Sequence, residues 1–447
     1  MKKLIETLKN IYKIEDLRSR LGVTLLFLMV YRFGSFVILP GIDPNPAYFQ
    51  SLRNQTSDGI LGLLNMFSGG AFSNASIFAL GIMPYISASI VIQLLGFAVP
   101  YIQRLQKEGE SGRRKINQMT RYLTVVILVF QGWAYLANLR FQLPEQAFLI
   151  GTFAFNLSST IVLAAGSMFI MWLGERITDK GIGNGISLII MIGIIARLPQ
   201  ALAQEFVSRM AEQGRGFIMM IVEMVVFLLV IASTILLVQG TRKVPVQYAK
   251  RIVGNRQYGG VRQYIPLKVN AAGVMPIIFA QAIMFIPATL AGLFSSETLG
   301  RMFANFSSYT GFTYNFVMFL MVIVFTYFYT AITINPNQMA EDMKKNGGFI
   351  PGIKPGKRTA EYIDTIMSRI TLPGSIFLGL ITILPAFAMI LGINSSFAHF
   401  FGGTSLLILV GVILDTLQQI ESHLLMRHYD GLLKSGRIKG RTAGMSM

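Results

Sequence analysis

Apolar runs of about twenty residues recur along the whole chain, and they leave few options for what it can become. Each helical residue advances the chain ~1.5 Å, so crossing ~30 Å of hydrocarbon takes about 20 of them. Ten runs meet or approach that length: residues 21–40, 76–99, 119–139, 152–173, 182–198, 216–239, 271–293, 314–334, 371–393 and 403–421. Lipid offers no partner for an open backbone, so such runs must be helical. With 53% hydrophobic and 13% charged residues in 447, a soluble globular fold is excluded. The expected fold class is an all-α integral membrane protein with ten transmembrane helices.

Charge between the runs fixes their direction. Lys and Arg number six before the first run, six in 100–121, two in 174–181, seven in 240–270, six in 335–370 and five after 421, which is 32 in all. The alternate segments hold six, namely Arg53, Arg140, Arg197, Arg209, Arg215 and Arg301. Positive charge stays on the cytoplasmic side. Both termini and the heavy loops are therefore expected in the cytoplasm, and one miscounted run would scramble the alternation after it. Residues 1–22 mix both charge signs and lead into a run with no small-residue cleavage site, so they read as neither a signal peptide nor a transit segment. A multi-pass protein of the bacterial plasma (inner) membrane is expected.

Ten runs divide into five and five at the external segment 197–216. An odd number per half means that a duplicated half would be inserted upside down. The connection after the first run is long in both halves (41–75 and 240–270), as an inverted repeat would give, although no residue-level similarity joins them. The expected domains are a cytoplasmic segment 1–20, an N-terminal half 21–198, an external hinge loop 199–215, a C-terminal half 216–421 and a cytoplasmic tail 422–447.

Ahead of the second run stands a shorter one, 60–67, followed by Gly69-Gly70. It cannot span. It lies either on the membrane surface as an interfacial helix or inside protein as a re-entrant stopper. Few ionisable residues fall within the runs, Arg32, Glu223 and Asp415 being the deepest. Each costs at least ~2.5–3.5 kcal/mol at a helix centre, so each is either functional or held by an ion pair or carbonyl contact between helices.

Catalytic chemistry is not expected. The chain has no cysteine and three histidines, which removes disulfides, thiolate catalysis and cysteine metal sites. Gly356-Lys357 lacks both the glycine five residues earlier and the following Ser or Thr of a phosphate-cradling loop, and no GxSxG or HExxH occurs. Neither a cofactor nor a metal is expected. Two function classes remain: an inverted-repeat secondary transporter of a small solute, and a conduit for something large that works with soluble partners. Transporters need polar or charged groups at the midplane, and this chain has few. It has instead long basic loops, 240–270 with seven basic and no acidic residues and 335–370 with six basic against four acidic. Positive-inside topology and lipid headgroups explain their sign, but not their length or their Gly and Pro content.

Several strings resemble the SecY family of channel subunits of protein translocases: 65–95 (NMFSGGAFSNASIFALGIMPYISASIVIQLL), 107–116 (KEGESGRRKI), 171–190 (MWLGERITDKGIGNGISLII), 266–280 (PLKVNAAGVMPIIFA), 349–364 (FIPGIKPGKRTAEYID) and 401–415 (FGGTSLLILVGVILD). The resemblance runs from about residue 11 to 441. It implies two pseudo-symmetric, inverted five-helix halves around an hourglass pore, with a short re-entrant plug helix at 59–73 that includes Leu61, Leu64 and Phe67. It implies a pore ring of Ile82, Ile86, Ile186, Ile190, Ile278 and Ile408. A lateral gate between the second and seventh spans would lie near Ser87, Gln93, Asn270 and Gln281. The basic loops become a docking site for a SecA motor or a ribosome, through Arg242, Lys243, Lys250, Arg251, Arg256, Lys354, Lys357 and Arg358. SecE-like and SecG-like membrane subunits, signal sequences of client preproteins and lipids complete the implied partners. In two places the chain departs from the family's usual pattern: Lys354 stands where an arginine is common, which loses the bidentate fork, and a basic pair is reduced to Arg256 beside Asn255.

Overall fold

A computed structural model describes residues 14–55, 62, 65–211, 216–248, 251–253, 256–258, 262–291 and 309–434. Among the described residues there are ten helices of 16 residues or more: α1 Glu15–Gly34, α2 Met83–Ala98, α3 Glu110–Gln142, α4 Thr152–Lys180, α5 Gly185–Ala211, α6 Gly216–Gln239, α7 Met275–Ala291, α8 Phe312–Thr333, α9 Lys357–Ile390 and α10 Gly403–Lys434. They fall on the ten apolar runs. Among the described residues, seven helices are long and apolar enough by themselves to cross a membrane.

Their ends differ from the runs in an instructive way. Helices α3, α9 and α10 have 33, 34 and 32 residues, about 50 Å each, so charged loop segments at 110–118, 357–370 and 422–434 continue them as helix. Hydropathy stops where the hydrocarbon stops, whereas backbone hydrogen bonding does not. Helix α5 likewise runs through Pro199 to Ala211, taking in much of the expected hinge loop. Helix α2 begins seven residues late, at Met83, with Pro84 in its first turn, where the missing N–H costs nothing. Residues 77–82 before it are turns, and Gly81 has φ +55°.

The chain forms two compact units, residues 1–199 with 412–447 and residues 200–411. In the first unit, the segment between α1 and α2 packs under α3 and α4. Leu39, Ile42, Phe49 and Leu52 share a core with Phe72, Ala75, Tyr135, Leu139, Phe155 and Leu163. Bridges Ile38↔Ser76 and Ile42↔Phe148 tie it down. The turn joining α4 to α5 is held at both sides, because Ile182 N donates to Thr24 Oγ1 of α1 (3.1 Å) and Gly183 N to Gln419 Oε1 of α10 (2.8 Å).

In the second unit, α7, α8, α9 and the start of α10 share a core of Ile277, Met284, Met318, Val322, Leu378 and Leu407. Beyond α6 the chain forms strands β1 Thr241–Tyr248, β2 Arg251–Val253, β3 Arg256–Tyr258 and β4 Arg262–Lys268, and later β5 Gly348–Phe349. One antiparallel sheet has the order β4-β1-β5, and β2 pairs β3 in a separate hairpin. Thr241 faces Lys268 and Gln247 faces Arg262 in the register of β1 and β4, while Gln247 and Tyr248 face Phe349 and Gly348 of β5. Strands β1 and β4 of the first basic loop and β5 of the second thus form one body. Its core is Val244, Val246, Leu267, Met343, Ile350, Ile363 and Met367.

Candidate functional site

Residues 65–76 are buried yet mostly not helical, and their side chains explain how. A buried backbone must find partners, and here Asn and Ser supply them. Asn65 Oδ1 accepts from Ser73 N (3.1 Å), Ser68 Oγ donates to Asn65 O and accepts from Phe72 N (3.1 Å each), and Ser73 Oγ donates to Gly70 O (3.1 Å). Gly69 and Gly70 adopt φ +64° and +91°, which L side chains rarely do. The last helical turn before this knot, 65–67, ends in buried Phe67. Leu61 and Leu64 lie outside the described residues.

Three helices of the first unit grip the knot. From α1, Tyr31 Oη donates to Ser68 O (3.3 Å) and Arg32 Nη1 to Gly69 O (2.6 Å). From α3, Tyr135 Oη donates to Phe72 O (2.9 Å). Helix α5 makes backbone contact, since a Cβ on Gly193 would stand 3.1 Å from Phe67 O and 3.2 Å from Gly69 N. Ile190, Gly193 and Arg197 are spaced three and four residues apart, so they share a face of α5. The ring candidate Ile190 is therefore one turn along the helix from the knot. At the start of α2, Ile82 is buried and directly follows Gly81, whose Cβ would stand 3.7 Å from Ser68.

The remaining ring candidates are placed less tellingly. Ile86 is half-buried on α2. Ile186 leans on α4, with its Cγ1 3.0 Å from where a Cβ on Gly174 would stand. Ile278 on α7 is half-buried and Ile408 on α10 is buried, both in the second unit. Of the gate candidates, half-buried Ser87 and Gln93 sit on α2, where Gln93 Nε2 reaches Ser89 Oγ at 3.4 Å. Asn270, just before α7, is buried, and Gln281 of α7 faces Thr404 of α10 at 3.4 Å.

The docking candidates sit on the sheet body and the turns around it. Arg242 and Lys243 are exposed on β1, and Lys354 is exposed in the turn after β5, where Thr359 Oγ1 donates to its carbonyl (3.0 Å). Arg251 and Arg256 belong to the hairpin, Arg251 opposite Tyr258 and Arg256 opposite Val253. Lys250 lies outside the described residues. Lys357 and Arg358 are not loop residues but the exposed first turn of α9. Cations at a helix N-terminus oppose its dipole, so the helix gains nothing from them there.

Of the deepest charges, Arg32 has a carbonyl partner, Asp415 is exposed on α10, and Glu223 has an ion pair that sequence reasoning missed. Arg209 reaches Glu205 Oε1 with Nε (2.9 Å), and its Nη2 bonds Glu223 and Gly392 O (2.9 Å). Glu205 Oε2 accepts from Asn394 N (2.9 Å). The signal was there in the i, i+4 pair Glu205 and Arg209, but in a segment read as an external loop. Among the described residues no cluster of His, Asp or Glu could hold a metal ion.

A ten-helix membrane protein whose first unit buries a polar turn beside an apolar helix face, and whose loops build a basic platform, has the build of a channel that serves a large client. A family model described as SecY matches residues 76–417. Protein translocase subunit SecY of Streptomyces scabiei is 44% identical over 434 residues, covering 95% of this chain and 98% of that one. That of Chlamydia trachomatis is 42% identical (97% and 99%), and that of Thermotoga maritima 40% (98% and 99%). Among solved structures, one described as a protein-conducting channel aligns with TM-score 0.59 at 16% identity, covering 96% of this chain and 95% of that one. Sec61 in a canine ribosome-channel complex from the endoplasmic reticulum aligns with TM-score 0.55 at 16% identity, with the same coverage. The chain belongs to the SecY family and is a protein-translocation channel. That membership decides for the conduit over the solute transporter, and for transport over catalysis.

Proposed function

We propose that this chain is the central channel of a Sec translocase in the bacterial plasma membrane, with both termini cytoplasmic. It passes unfolded preproteins across and releases apolar helices sideways into lipid. The observation that carries the reading is the buried turn at 65–76, seated against the face of α5 that bears Ile190. Residues 59–73 act as the stopper, and Ile82, Ile86, Ile186, Ile190, Ile278 and Ile408 form the constriction. An apolar constriction a few ångströms wide dewets and blocks ions, while flexible aliphatic side chains close around a chain of any sequence. The gate opens between α2 and α7 at Ser87, Gln93, Asn270 and Gln281, where small and polar residues limit the packing lost.

SecE-like helices clamp the two halves, with a SecG-like subunit as a further partner, and a SecA motor or a ribosome docks on the basic loops at Arg256, Lys354 and their basic neighbours. Support comes from two exposed cations placed against the dipole of α9, and from a described neighbour in a ribosome-channel complex. Reversing a charge at a desolvated contact costs several kcal/mol, and ~1.4 kcal/mol is tenfold in affinity. In a SecA- and ATP-dependent protease-protection assay, Lys354→Glu should nearly abolish translocation, while Lys354→Arg leaves it intact or improves it. Near-normal activity of both removes Lys354 from docking. No preprotein protection by the parent channel with its partners removes the proposal.

A further inference from the structure

The segment that must leave if the channel is to open accepts a short hydrogen bond from a charged group, the Arg32 guanidinium. We propose that Arg32 is the latch of the stopper: a positioning residue whose guanidinium sets how often residues 65–73 leave their seat. The inference rests on the reading of 59–73 as the stopper.

Four observations carry it. The bond from Arg32 Nη1 to Gly69 O, at 2.6 Å, is shorter than the 3.3 Å of Tyr31 to Ser68 O and the 2.9 Å of Tyr135 to Phe72 O. It is also the one among these three whose donor is ionised, and such bonds are about twice as strong as neutral ones. Second, the guanidinium is aimed independently of the turn. Ser35 Oγ, which donates to Arg32 O (2.6 Å), lies 3.5 Å from Arg32 Nη1, and the Phe36 ring centroid is 4.7 Å from Arg32 Cζ. Third, Arg32 lies in the last turn of α1, where a cation is favoured by the helix dipole whether or not the turn is present. Fourth, Gly69 admits no side chain, since its Cβ would stand 2.9 Å from Gly193 Cα and 3.3 Å from Arg32 Nη1. The acceptor carbonyl is thus clamped between the donor and the backbone of α5.

A carbonyl acceptor suits a latch. When the turn departs, no carboxylate is left unpaired, and the guanidinium, only half-buried in this structure, is free to hydrate. At Arg32, release of the moving part therefore breaks one hydrogen bond and leaves no carboxylate behind.

The test uses the channel with its membrane partners in planar bilayers, reading ion conductance in the absence of client. Arg32→Met should raise the open fraction about tenfold, as expected for losing one charge-assisted hydrogen bond. Arg32→Lys, with the charge but a shorter reach, should rise less. Tyr31→Phe removes only the hydroxyl on Ser68 O and keeps the ring stacked on Phe78; it should rise about twofold, and it carries the test should Arg32→Met fail to accumulate. Deletion of 61–67 should leak by itself, and Arg32→Met should add nothing to it. A leaking deletion with an ion-tight Arg32→Met overturns the latch alone, as does an equal rise from Arg32→Met with and without 61–67. A deletion that stays tight overturns the stopper and the latch together.

Discussion

Two arginines lie at membrane depth or beside it, one in each compact unit, and the molecule satisfies them in opposite ways. Arg32, half-buried, gives its hydrogen bond to a single backbone carbonyl on a turn. Arg209, with 6% of its side chain exposed, is enclosed by Glu205 and Glu223, themselves 3% and 8% exposed. The difference lies in what remains when the contact opens. Parting Arg32 from Gly69 strands no charge. Parting Arg209 from its carboxylates leaves ions in apolar surroundings, and the desolvation of each is several kcal/mol. A charge–carbonyl contact suits a moving part, and a charge–charge cluster suits a weld between α5, α6 and the turn before α10.

The largest expected effect follows from the weld. Arg209→Met leaves two buried carboxylates facing each other and should destabilise the protein by about 3–5 kcal/mol. The readout is the midpoint of thermal unfolding in detergent, and an unchanged midpoint would place the cluster in water. Converting all three residues at once, as Glu205→Gln, Arg209→Met and Glu223→Gln, should recover most of the loss, because replacing a whole buried ionic group is often nearly neutral.

The middle effect sharpens the contrast. Arg32→Met, leaky in bilayers, should shift the unfolding midpoint far less than Arg209→Met does. If the two shifts are equal, Arg32 is a weld as well. The smallest effect concerns charge count. The cluster holds two carboxylates for one guanidinium, and Glu223 Oε2 is buried without a hydrogen-bond partner, so Glu223→Gln should change stability by about 1 kcal/mol or less. A loss as large as that of Arg209→Met would show that both negative charges are required.

What the sequence made legible follows the physics of each signal. Hydropathy is a solvent signal, so it located all ten helices but stopped short in α3, α9 and α10, where the helix continues beyond the apolar run. Charge asymmetry is likewise a membrane signal and supports one consistent topology. Hydrogen bonds between distant segments leave no such trace. The Asn65–Ser73 knot shows in the sequence only as a short apolar run followed by Gly69-Gly70, and the partners of Arg32 and Glu223 cannot be found by spacing, since Gly69 and Arg209 lie 37 and 14 positions away. The isoleucines proposed for the ring are the extreme case. Nothing in a membrane isoleucine marks it as pore-lining rather than lipid-facing, so only resemblance selected them. The structure adds the backbone contact of Gly193, which sets Ile190 beside the turn.

The pairing of β1 with β5 has a mechanical consequence. Residues 241–248, 262–268 and 348–349 share one sheet, and that sheet shares its core with Ile363 and Met367 of α9. A force applied at this sheet is therefore not absorbed by a slack loop. It loads a short rigid body bolted to a helix of 34 residues, roughly 51 Å of shaft. Thrust or torque applied there would travel along that shaft to Leu378 and Ile381 in the core of the second unit, with no contact needed to any residue inside it.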